Sequence, residues 1–280
     1  MEKLRKLQLT MLDIAIEIKR ICEKNQIKYF MTAGTLLGAV RHQGFIPWDD
    51  DMDFGMRREE FDKFVKACKK ELSNDFFLQT WNTDPGYSMP FAKVIIKNSV
   101  WNHDITKDSP AKYEGIYVDI FVFDNIVSSR FVQKINSTLI IFLVRMLMMK
   151  NRYKLKANRR IGRVCDVPLK IVSLFLSTGK IISLIVTIQT KYNARKMPLS
   201  WNSYLNFDLM NTRECYHTVD LKFESEVFPA PCNYDKVLKD CYGDYRSLPP
   251  AEERKPQHGE LKIIYGDYRV KNSQFLKEET

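Results

Sequence analysis

The sequence predicts a mixed α/β (α+β) protein that carries a helical, basic insertion. Two segments, 3–24 and 58–72, place apolar residues at helical spacing. Short apolar segments of strand length alternate with them, which is typical of a sheet covered by helices. Residues 130–197 depart from this alternation, because long apolar runs and a basic cluster replace it.

The elements follow one another along the first half of the chain. Pro and Gly residues mark the turns between them. The predicted elements are, in order, a helix over 3–24, a strand over 28–32, a short helix over 35–41, a strand over 52–56, a helix over 58–72 and strands over 76–81, 90–97 and 116–123. The strand over 116–123 is almost wholly apolar, so we expect it in the centre of the sheet.

Length and composition describe an ordinary globular chain. It has 280 residues, of which 45% are hydrophobic, and it contains no 18-residue uninterrupted apolar stretch, so no membrane span is expected. The N-terminus shows no secretion signal. The six cysteines form no Cys-x-x-Cys pair, so we expect reduced thiols and a cytoplasmic location.

The net charge of +10 is concentrated in one segment. Residues 131–200 contain 14 Lys or Arg and one acidic residue, a local net charge of +13, so the rest of the chain carries −3. A basic excess confined to one segment indicates a local anionic partner. Nucleic acid is therefore not expected as a partner.

An acidic run over residues 49–53 is the most informative feature. In an extended segment Asp49, Asp51 and Asp53 point to the same side, while Asp50 faces away and is expected to tolerate change. Carboxylates that converge repel one another unless a cation neutralises them, and Mg²⁺ takes carboxylate and phosphate oxygens as ligands. The run predicts a metal site for phosphate chemistry; the alternative is a solvated surface loop.

A second acid and a Gly-Thr pair extend this site. Asp119 lies in the apolar strand, where an ionised carboxylate is costly unless it is paired or metal-bound. It is predicted to be a metal ligand beside Asp51 and Asp53; the alternative is a salt bridge to Lys or Arg. Gly34 and Thr35 are predicted to bind a phosphate at a strand-to-helix turn, where an ordinary helix cap is the alternative.

Two cations are further candidates for contact with a bound phosphate. Arg41 offers a guanidinium that matches phosphate oxygens, although it is equally well explained as a structural cation at a helix end. Lys93 is an isolated cation in the strand over 90–97, and it either reaches the phosphates or extends to solvent.

The chain resembles the LicD family, which contains bacterial phosphocholine transferases and is related to fukutin and fukutin-related protein. The long stretch 30–54 carries most of this resemblance, and 115–121 continues it. It recurs near the C-terminus at Phe228-Pro-Ala-Pro231, Tyr242-Gly-Asp-Tyr245, Leu248-Pro249, Arg254 and His258. The segment 130–200 does not share it.

The resemblance implies a nucleotidyltransferase-like fold, with a mixed sheet flanked by helices. It also implies a divalent-metal-dependent phosphotransferase that uses Mg²⁺ or Mn²⁺. Such an enzyme moves phosphocholine, or a similar phospho-alcohol, from CDP-choline or a related CDP-alcohol to a hydroxyl of a glycan or its lipid-linked precursor, and releases CMP. Lipopolysaccharide and teichoic acid are glycans of this kind. The alternatives are a true nucleotidyltransferase and a non-catalytic, membrane-associated scaffold.

The resemblance also implies roles for the acidic residues. Asp51 and Asp53 would bind metal, and Asp119 would complete the site and orient or deprotonate the acceptor hydroxyl. Asp49 would be a further ligand or a supporting acid. A choline donor would require an aromatic cage. The candidate cage residues are Trp48, Tyr87, Trp101, Tyr113 and Tyr117.

We predict three segments: a catalytic core over 1–129, a basic, apolar helical insertion over 130–200, and a C-terminal part over 201–280 that completes the catalytic domain. In the insertion, apolar runs flank seven basic residues within 150–163. This pattern is typical of interfacial helices on an anionic membrane, at its inner face for a cytoplasmic protein. The alternative is a helical subdomain that packs on itself or on a second subunit.

Overall fold

The computed structural model describes residues 2–101, 110–153, 173, 175–202, 209–211, 215, 217–257 and 262–271. The helices are α1 (Glu2–Lys24), α2 (Ala33–His42), α3 (Arg58–Glu71), α4 (Arg130–Lys150), α5 (Thr178–Thr190) and α6 (Tyr234–Tyr242), with a 3₁₀ turn over Ala251–Glu253. The strands are β1 (Phe30–Met31), β2 (Asp53–Arg57), β3 (Phe76–Gln79), β4 (Ala92–Ile96), β5 (Val100–Trp101), β6 (Tyr117–Ile126), β7 (Leu199–Asn202), β8 (Leu209–Asn211), β9 (Thr218–Phe223), β10 (Glu226–Pro231) and β11 (Ile263–Ile264).

The central sheet is mixed, as predicted. Its strand order is β1-β2-β6-β4-β3, in which β2 and β6 are parallel and the other pairs are antiparallel. All ten residues of β6 are buried, which explains why that strand is apolar in sequence. Its first half pairs with β4 and its second half with β7, which in turn pairs with β8.

Helices flank this sheet. Helix α1 is a core element, with a long series of fully buried apolar residues from Leu7 to Cys22. Helix α3 follows β2 directly. Its first turn contains Glu59 and Glu60 and its last turn contains Lys69 and Lys70, a charge order that suits the helix dipole.

Two local differences from the sequence-based elements bear on the site. Gly34 and Thr35 lie inside the first turn of α2, not in a turn that precedes it. Strand β2 begins only at Asp53, so residues 49–52 form a loop and not an extended strand. The acidic run is therefore presented by a loop that leads into the sheet.

The insertion contains two helices that pack on each other. Helices α4 and α5 share an apolar cluster that is separate from the main core. Its buried members are Ile140, Leu143, Val144, Met146, Leu147, Ile181 and Ile185. Among the described residues, α4 has the length and apolar composition that would allow it to cross a membrane. Helix α4 is not an uninterrupted apolar stretch, because charges such as Arg145 interrupt its sequence.

The C-terminal part returns to the N-terminal half of the chain. Strand β11 pairs with β5, and the β9–β10 hairpin packs against the core through Phe228, whose ring centroid lies 5.4 Å from that of Phe54. The ion pair between Arg5 and Glu224, at 2.7 Å, joins α1 to the same hairpin. The division at residues 129 and 200 stays a prediction.

Candidate active site

Four of the carboxylates that line one pocket come from two parts of the chain. Asp49 and Asp51 reach it from the loop before β2, Asp53 from the first position of β2, and Asp119 from β6. The pocket has a volume of about 760 Å³. All four of the acids singled out in the sequence therefore line the same pocket.

The register of the sheet places Asp53 beside Asp119. The two residues are direct neighbours across the parallel pair β2–β6, and the Asp119 amide donates to the carbonyl oxygen of Met52 at 2.9 Å. Side chains opposite one another in adjacent strands share a face, so both carboxylates point into the same pocket. Parallel pairing of two strands thus brings together acids that lie 66 positions apart in sequence.

The N-terminal turn of α2 holds Asp53 in place. The Asp53 amide donates to the Thr35 hydroxyl at 2.8 Å, and the Thr32 amide donates to the Asp53 carbonyl at 3.2 Å. Thr35 is buried and is not one of the residues that line the pocket. The structure therefore gives Thr35 a positioning role through Asp53, where the sequence suggested direct phosphate contact.

Gly34 lies against the acidic loop. It lines the pocket, and a Cβ at this position would come within 2.7 Å of Asp49 Oδ2 and 4.0 Å of Asp51 Oδ1. The close approach of these carboxylates to α2 therefore requires the absence of a side chain at residue 34.

The acidity of the Asp49 carboxyl is strongly perturbed. Its burial, together with the charge of Asp50, raises its pKa to about 6, although hydrogen bonds from the Asp51 side chain and the Asp50 amide act in the opposite direction. The buried Gln8 side chain of α1 donates to the carbonyl oxygen of Asp49 at 2.9 Å and to that of Ile46 at 3.2 Å. Helix α1 thus fixes the backbone of the acidic loop.

Asp50 points away from the pocket, as predicted, but it is not free to change. Its side chain is fully buried, and its Oδ1 accepts a hydrogen bond from the Gln257 amide at 3.1 Å. A buried acceptor that holds a distant segment is costly to remove. This burial argues against the predicted tolerance to substitution, which assumed that a side chain facing away from the pocket would face solvent.

Lys93 neutralises part of the site. Its Nζ lies 3.2 Å from Asp119 Oδ1 and 2.9 Å from the centre of the Tyr117 ring. Burial lowers the pKa of Lys93, while the charges of Asp119, Asp53 and Asp51 act to raise it. Asp119 thus lines the pocket and also forms a salt bridge, so both interpretations of this residue hold. Lys93 does not itself line the pocket.

Arg41 reaches the pocket from the end of α2. It lines the cavity, and its Nη1 donates to the carbonyl oxygens of Tyr245 and Ser247 at 3.0 and 3.2 Å. Burial and the nearby charge of Arg254 lower the pKa of Arg41. Arg254 in turn lies over the Trp48 ring, 5.6 Å from its centroid. The lining of the pocket therefore combines the Arg41 guanidinium with the carboxylates.

A C-terminal segment, residues 242–257, forms a wall of the pocket that reasoning from residue types did not identify. The pocket-lining residues of this wall are Tyr242, Asp244, Tyr245, Ser247, Leu248, Pro249, Pro250, Glu253 and Gln257. The family resemblance at 242–245 and 248–249 was the signal in the sequence. His258, which belongs to the same resemblance, lies outside the described residues.

The aromatic side chains of the pocket differ from those considered in the sequence. Of the five candidates for a choline cage, Trp48 lines the pocket, whereas Tyr87, Trp101, Tyr113 and Tyr117 do not. Tyr117 stacks on Trp101 with ring centroids 5.2 Å apart. The other aromatic residues of the lining are Phe91, Phe121, Tyr242 and Tyr245.

Comparison with known proteins identifies the family of this chain. Residues 26–137 match a family model described as LicD/FKTN/FKRP, nucleotidyltransferase domain. Over 267 residues the chain is 30% identical to the lipopolysaccharide cholinephosphotransferase LicD of Haemophilus influenzae, and the match covers 91% of this chain and 96% of the relative. The chain belongs to the LicD family. Uncharacterised proteins of Rickettsia prowazekii and Rickettsia typhi are each 48% identical over 52 residues, 19% of this chain and 20% and 17% of theirs.

The acidic pocket of this LicD-family chain fits a divalent cation in atom type and charge. Hard cations take carboxylate oxygens, and the pocket places four carboxylates near the single charge of Lys93. Within the described residues, however, no three or more His, Cys, Asp or Glu side chains are arranged as a ready-made metal-binding group. Binding would therefore require these carboxylates to move closer together. A cation would favour this movement, because it would cancel the repulsion between them.

Proposed function

We propose that this chain is a divalent-metal-dependent phosphotransferase. It moves phosphocholine, or a similar phospho-alcohol, from a CDP-linked donor to a hydroxyl of a cell-surface glycan or its lipid-linked precursor, and it releases CMP. The name of the Haemophilus relative supports the choline group and a lipopolysaccharide acceptor.

One observation carries the proposal: Asp49, Asp51, Asp53 and Asp119 line the same pocket, which is large enough for a nucleotide-linked donor. A diphosphate is itself an anion, so these carboxylates would repel it unless cations lie between them. An acidic pocket of this kind is therefore suited to a phosphate compound that arrives with Mg²⁺ or Mn²⁺.

The residues that would hold the ion are Asp51 and Asp53, with Asp49 as a further ligand. When bound, the ion would neutralise charge on the phosphate oxygens during transfer. Asp49 would bind the ion in its ionised form, so protons would compete with the ion as the pH falls below its pKa of about 6.

Asp119 is suited to act on the acceptor. It lies beside Asp53 in the sheet, and Lys93 holds its Oδ1 at 3.2 Å. We propose that Asp119 orients the acceptor hydroxyl and takes its proton. The hydroxyl oxygen forms a bond to the phosphorus that carries choline, and the bond from that phosphorus to the CMP oxygen breaks.

The rest of the pocket would bind the donor. Arg41 lines the pocket, and its guanidinium can pair with a phosphate oxygen. Trp48, Phe91 and Phe121 provide aromatic surface near the acids, and the ring centroids of Phe91 and Phe121 are 4.7 Å apart. A quaternary ammonium is attracted to such surfaces, so this side of the pocket is where choline would lie.

The test is turnover of CDP-choline by the purified chain with a glycan acceptor and Mg²⁺, followed by CMP release and by the mass of the glycan. We expect Asp51→Asn, Asp53→Asn and Asp119→Asn each to lose at least about 100-fold in kcat. Asp220→Asn removes an exposed acid on β9 and is the matched control, for which activity should not change. Failure of the wild-type chain with CDP-choline, CDP-glycerol and CDP-ribitol alike would contradict the proposal.

A nucleotidyltransferase is the second candidate, because the family model is described by that term. The same carboxylates would serve both reactions, so the products must decide. Transfer of phosphocholine leaves CMP free in solution and adds only phosphocholine to the acceptor. Transfer of a nucleotide would leave the acceptor carrying the nucleotide, and detection of such a product would favour this second reaction.

A further inference from the structure

Helix α4 carries an apolar stripe that faces solvent. Phe131, Ile135, Leu139 and Phe142 are all exposed, and Phe131 is 74% exposed. At 100° per residue these four positions fall within roughly 80° of arc, so they lie on one face of the helix. We call these four residues the α4 stripe. Exposed apolar residues arranged in this way usually mark a contact surface.

The opposite face of α4 is already occupied. Ile140, Leu143, Val144 and Leu147 are buried in the apolar cluster that α4 shares with α5. The structure thus supports the packed helical subdomain, which was one of the two alternatives from the sequence. The α4 stripe takes no part in this packing and stays exposed. Helix α5, with 13 residues, is too short to cross a bilayer beside α4. The packed pair is therefore suited to lie on a surface and not to cross one.

The charged residues of α4 and α5 are all positive. Arg130 and Lys134 are exposed on the same helix, and neither α4 nor α5 contains an acidic residue. No Asp or Glu occurs in the sequence between Asp124 and Asp166. An apolar face with a basic border and no acid matches the surface of an anionic bilayer, where acyl chains lie beneath negative headgroups.

We propose that the α4 stripe docks this chain on an anionic membrane, with α4 parallel to the bilayer surface. Phe131 and Phe142 enter the headgroup region, and Arg130 and Lys134 contact the anionic headgroups. This docking goes beyond the proposed transfer reaction and does not depend on it. Its consequence for the reaction is that the pocket would work close to a lipid-linked acceptor.

Flotation of the full-length chain with vesicles tests the docking. We expect wild type to bind vesicles of phosphatidylglycerol and phosphatidylcholine at least tenfold more strongly than vesicles of phosphatidylcholine alone. The double variant Phe131→Ser/Phe142→Ser should bind the anionic vesicles at least tenfold more weakly than wild type. Arg130→Gln/Lys134→Gln should also bind more weakly, and the remaining binding should respond less to salt.

Val227→Ser is the matched control, because Val227 is 45% exposed on β10, outside the helical insertion, and Phe142 is 43% exposed. This control should float as wild type does, and circular dichroism should show that all variants are folded. Lack of wild-type binding to anionic vesicles, or unchanged binding of the stripe variant, would overturn the proposal. So would a wild-type dimer in sedimentation that the stripe variant abolishes, if neither protein floats, because the stripe would then bind a second copy.

Discussion

Several residues at the pocket act through a neighbour and not on a substrate directly. Thr35 holds the backbone of Asp53, and Lys93 holds the carboxylate of Asp119. Gly34 acts by lacking a side chain, since a Cβ there would collide with Asp49. Each of these contacts is short and buried, so small substitutions should have measurable effects.

Gly34→Ala should impair activity more than stability. The added Cβ would lie 2.7 Å from Asp49 Oδ2, so the carboxylate or the helix must move, whereas Ala favours the helix by about 1 kcal/mol. We expect kcat to fall on the order of tenfold to 100-fold, because catalytic geometry tolerates little displacement. Gly179→Ala is the control: it also replaces the second residue of a helix, and nothing lies within 4 Å of the added Cβ. Equal activities of the two variants would show that the Gly34 contact is unimportant.

Thr35→Val should lower both stability and metal binding. The substitution leaves the buried Asp53 amide without its acceptor, at a cost of about 1–3 kcal/mol in the free energy of unfolding. Thr35→Ser keeps the hydroxyl and should lie close to wild type. Urea unfolding and Mg²⁺-dependent thermal shifts measure the two effects. If Val and Ser behave alike, the hydroxyl does not hold Asp53.

The pKa of Asp49 predicts how the stability of the metal-free protein depends on pH. Its folded pKa of about 6 is above the ordinary 3.8, so the folded state binds the proton more tightly. The resulting stabilisation is fully present below about pH 4 and is lost as the pH rises through about 6, on the order of 2–3 kcal/mol. Chemical unfolding across this range, compared with Asp49→Asn, measures it. A difference between the two proteins that does not change with pH would contradict this assignment.

Elements combine to present the acids. Helix α1 supports the acidic loop through the two hydrogen bonds that the Gln8 side chain donates to main-chain carbonyls. Helix α2 holds the start of β2 through the Thr35 hydroxyl. Helical periodicity predicted α1 and α3 almost to the residue. Helix α3 buries one regular face, whereas residues 7–15 of α1 are buried on all sides. The start of β2 was placed one residue early, since a run of Asp residues has no apolar alternation to mark where pairing begins.

Gln8→Ala should therefore act on the pocket from a distance. It leaves the buried carbonyls of Ile46 and Asp49 without their donor, so we expect a loss of about 1–3 kcal/mol in unfolding free energy and a weaker response to Mg²⁺. Gln133→Ala is the control, because Gln133 also donates to a main-chain carbonyl, that of Val127, but on α4. A Mg²⁺ response equally weakened in the control would mean that α1 does not hold the loop specifically.

The whole molecule closes the pocket by bringing its C-terminal part back over the acidic loop. Asp50 accepts from the Gln257 amide, and Arg41 donates to the carbonyl oxygens of Tyr245 and Ser247. These contacts span more than 200 positions in sequence, so one wall of the pocket depends on the complete fold.

Asp50→Ala should loosen this wall. We expect a loss of about 1.5–3 kcal/mol in unfolding free energy, because a buried charged acceptor is removed, and faster proteolysis within residues 242–257. Asp50→Asn retains an acceptor oxygen and should lose less. Limited proteolysis with mass spectrometry, alongside urea unfolding, measures both. Protection of the segment in Asp50→Ala equal to that in wild type would show that Asp50 does not hold it.

The sequence by itself determined the class of fold, the order of the main helices and strands, the family, and the acids to consider. It did so because periodicity and residue type are local properties, and because the signature over 30–54 is long. The tertiary structure decided which faces meet: that Asp119 lies beside Asp53, that Thr35 holds a backbone, that Asp50 is buried, and that residues 242–257 close the pocket. Such facts depend on strand register and long-range packing, which no local pattern encodes.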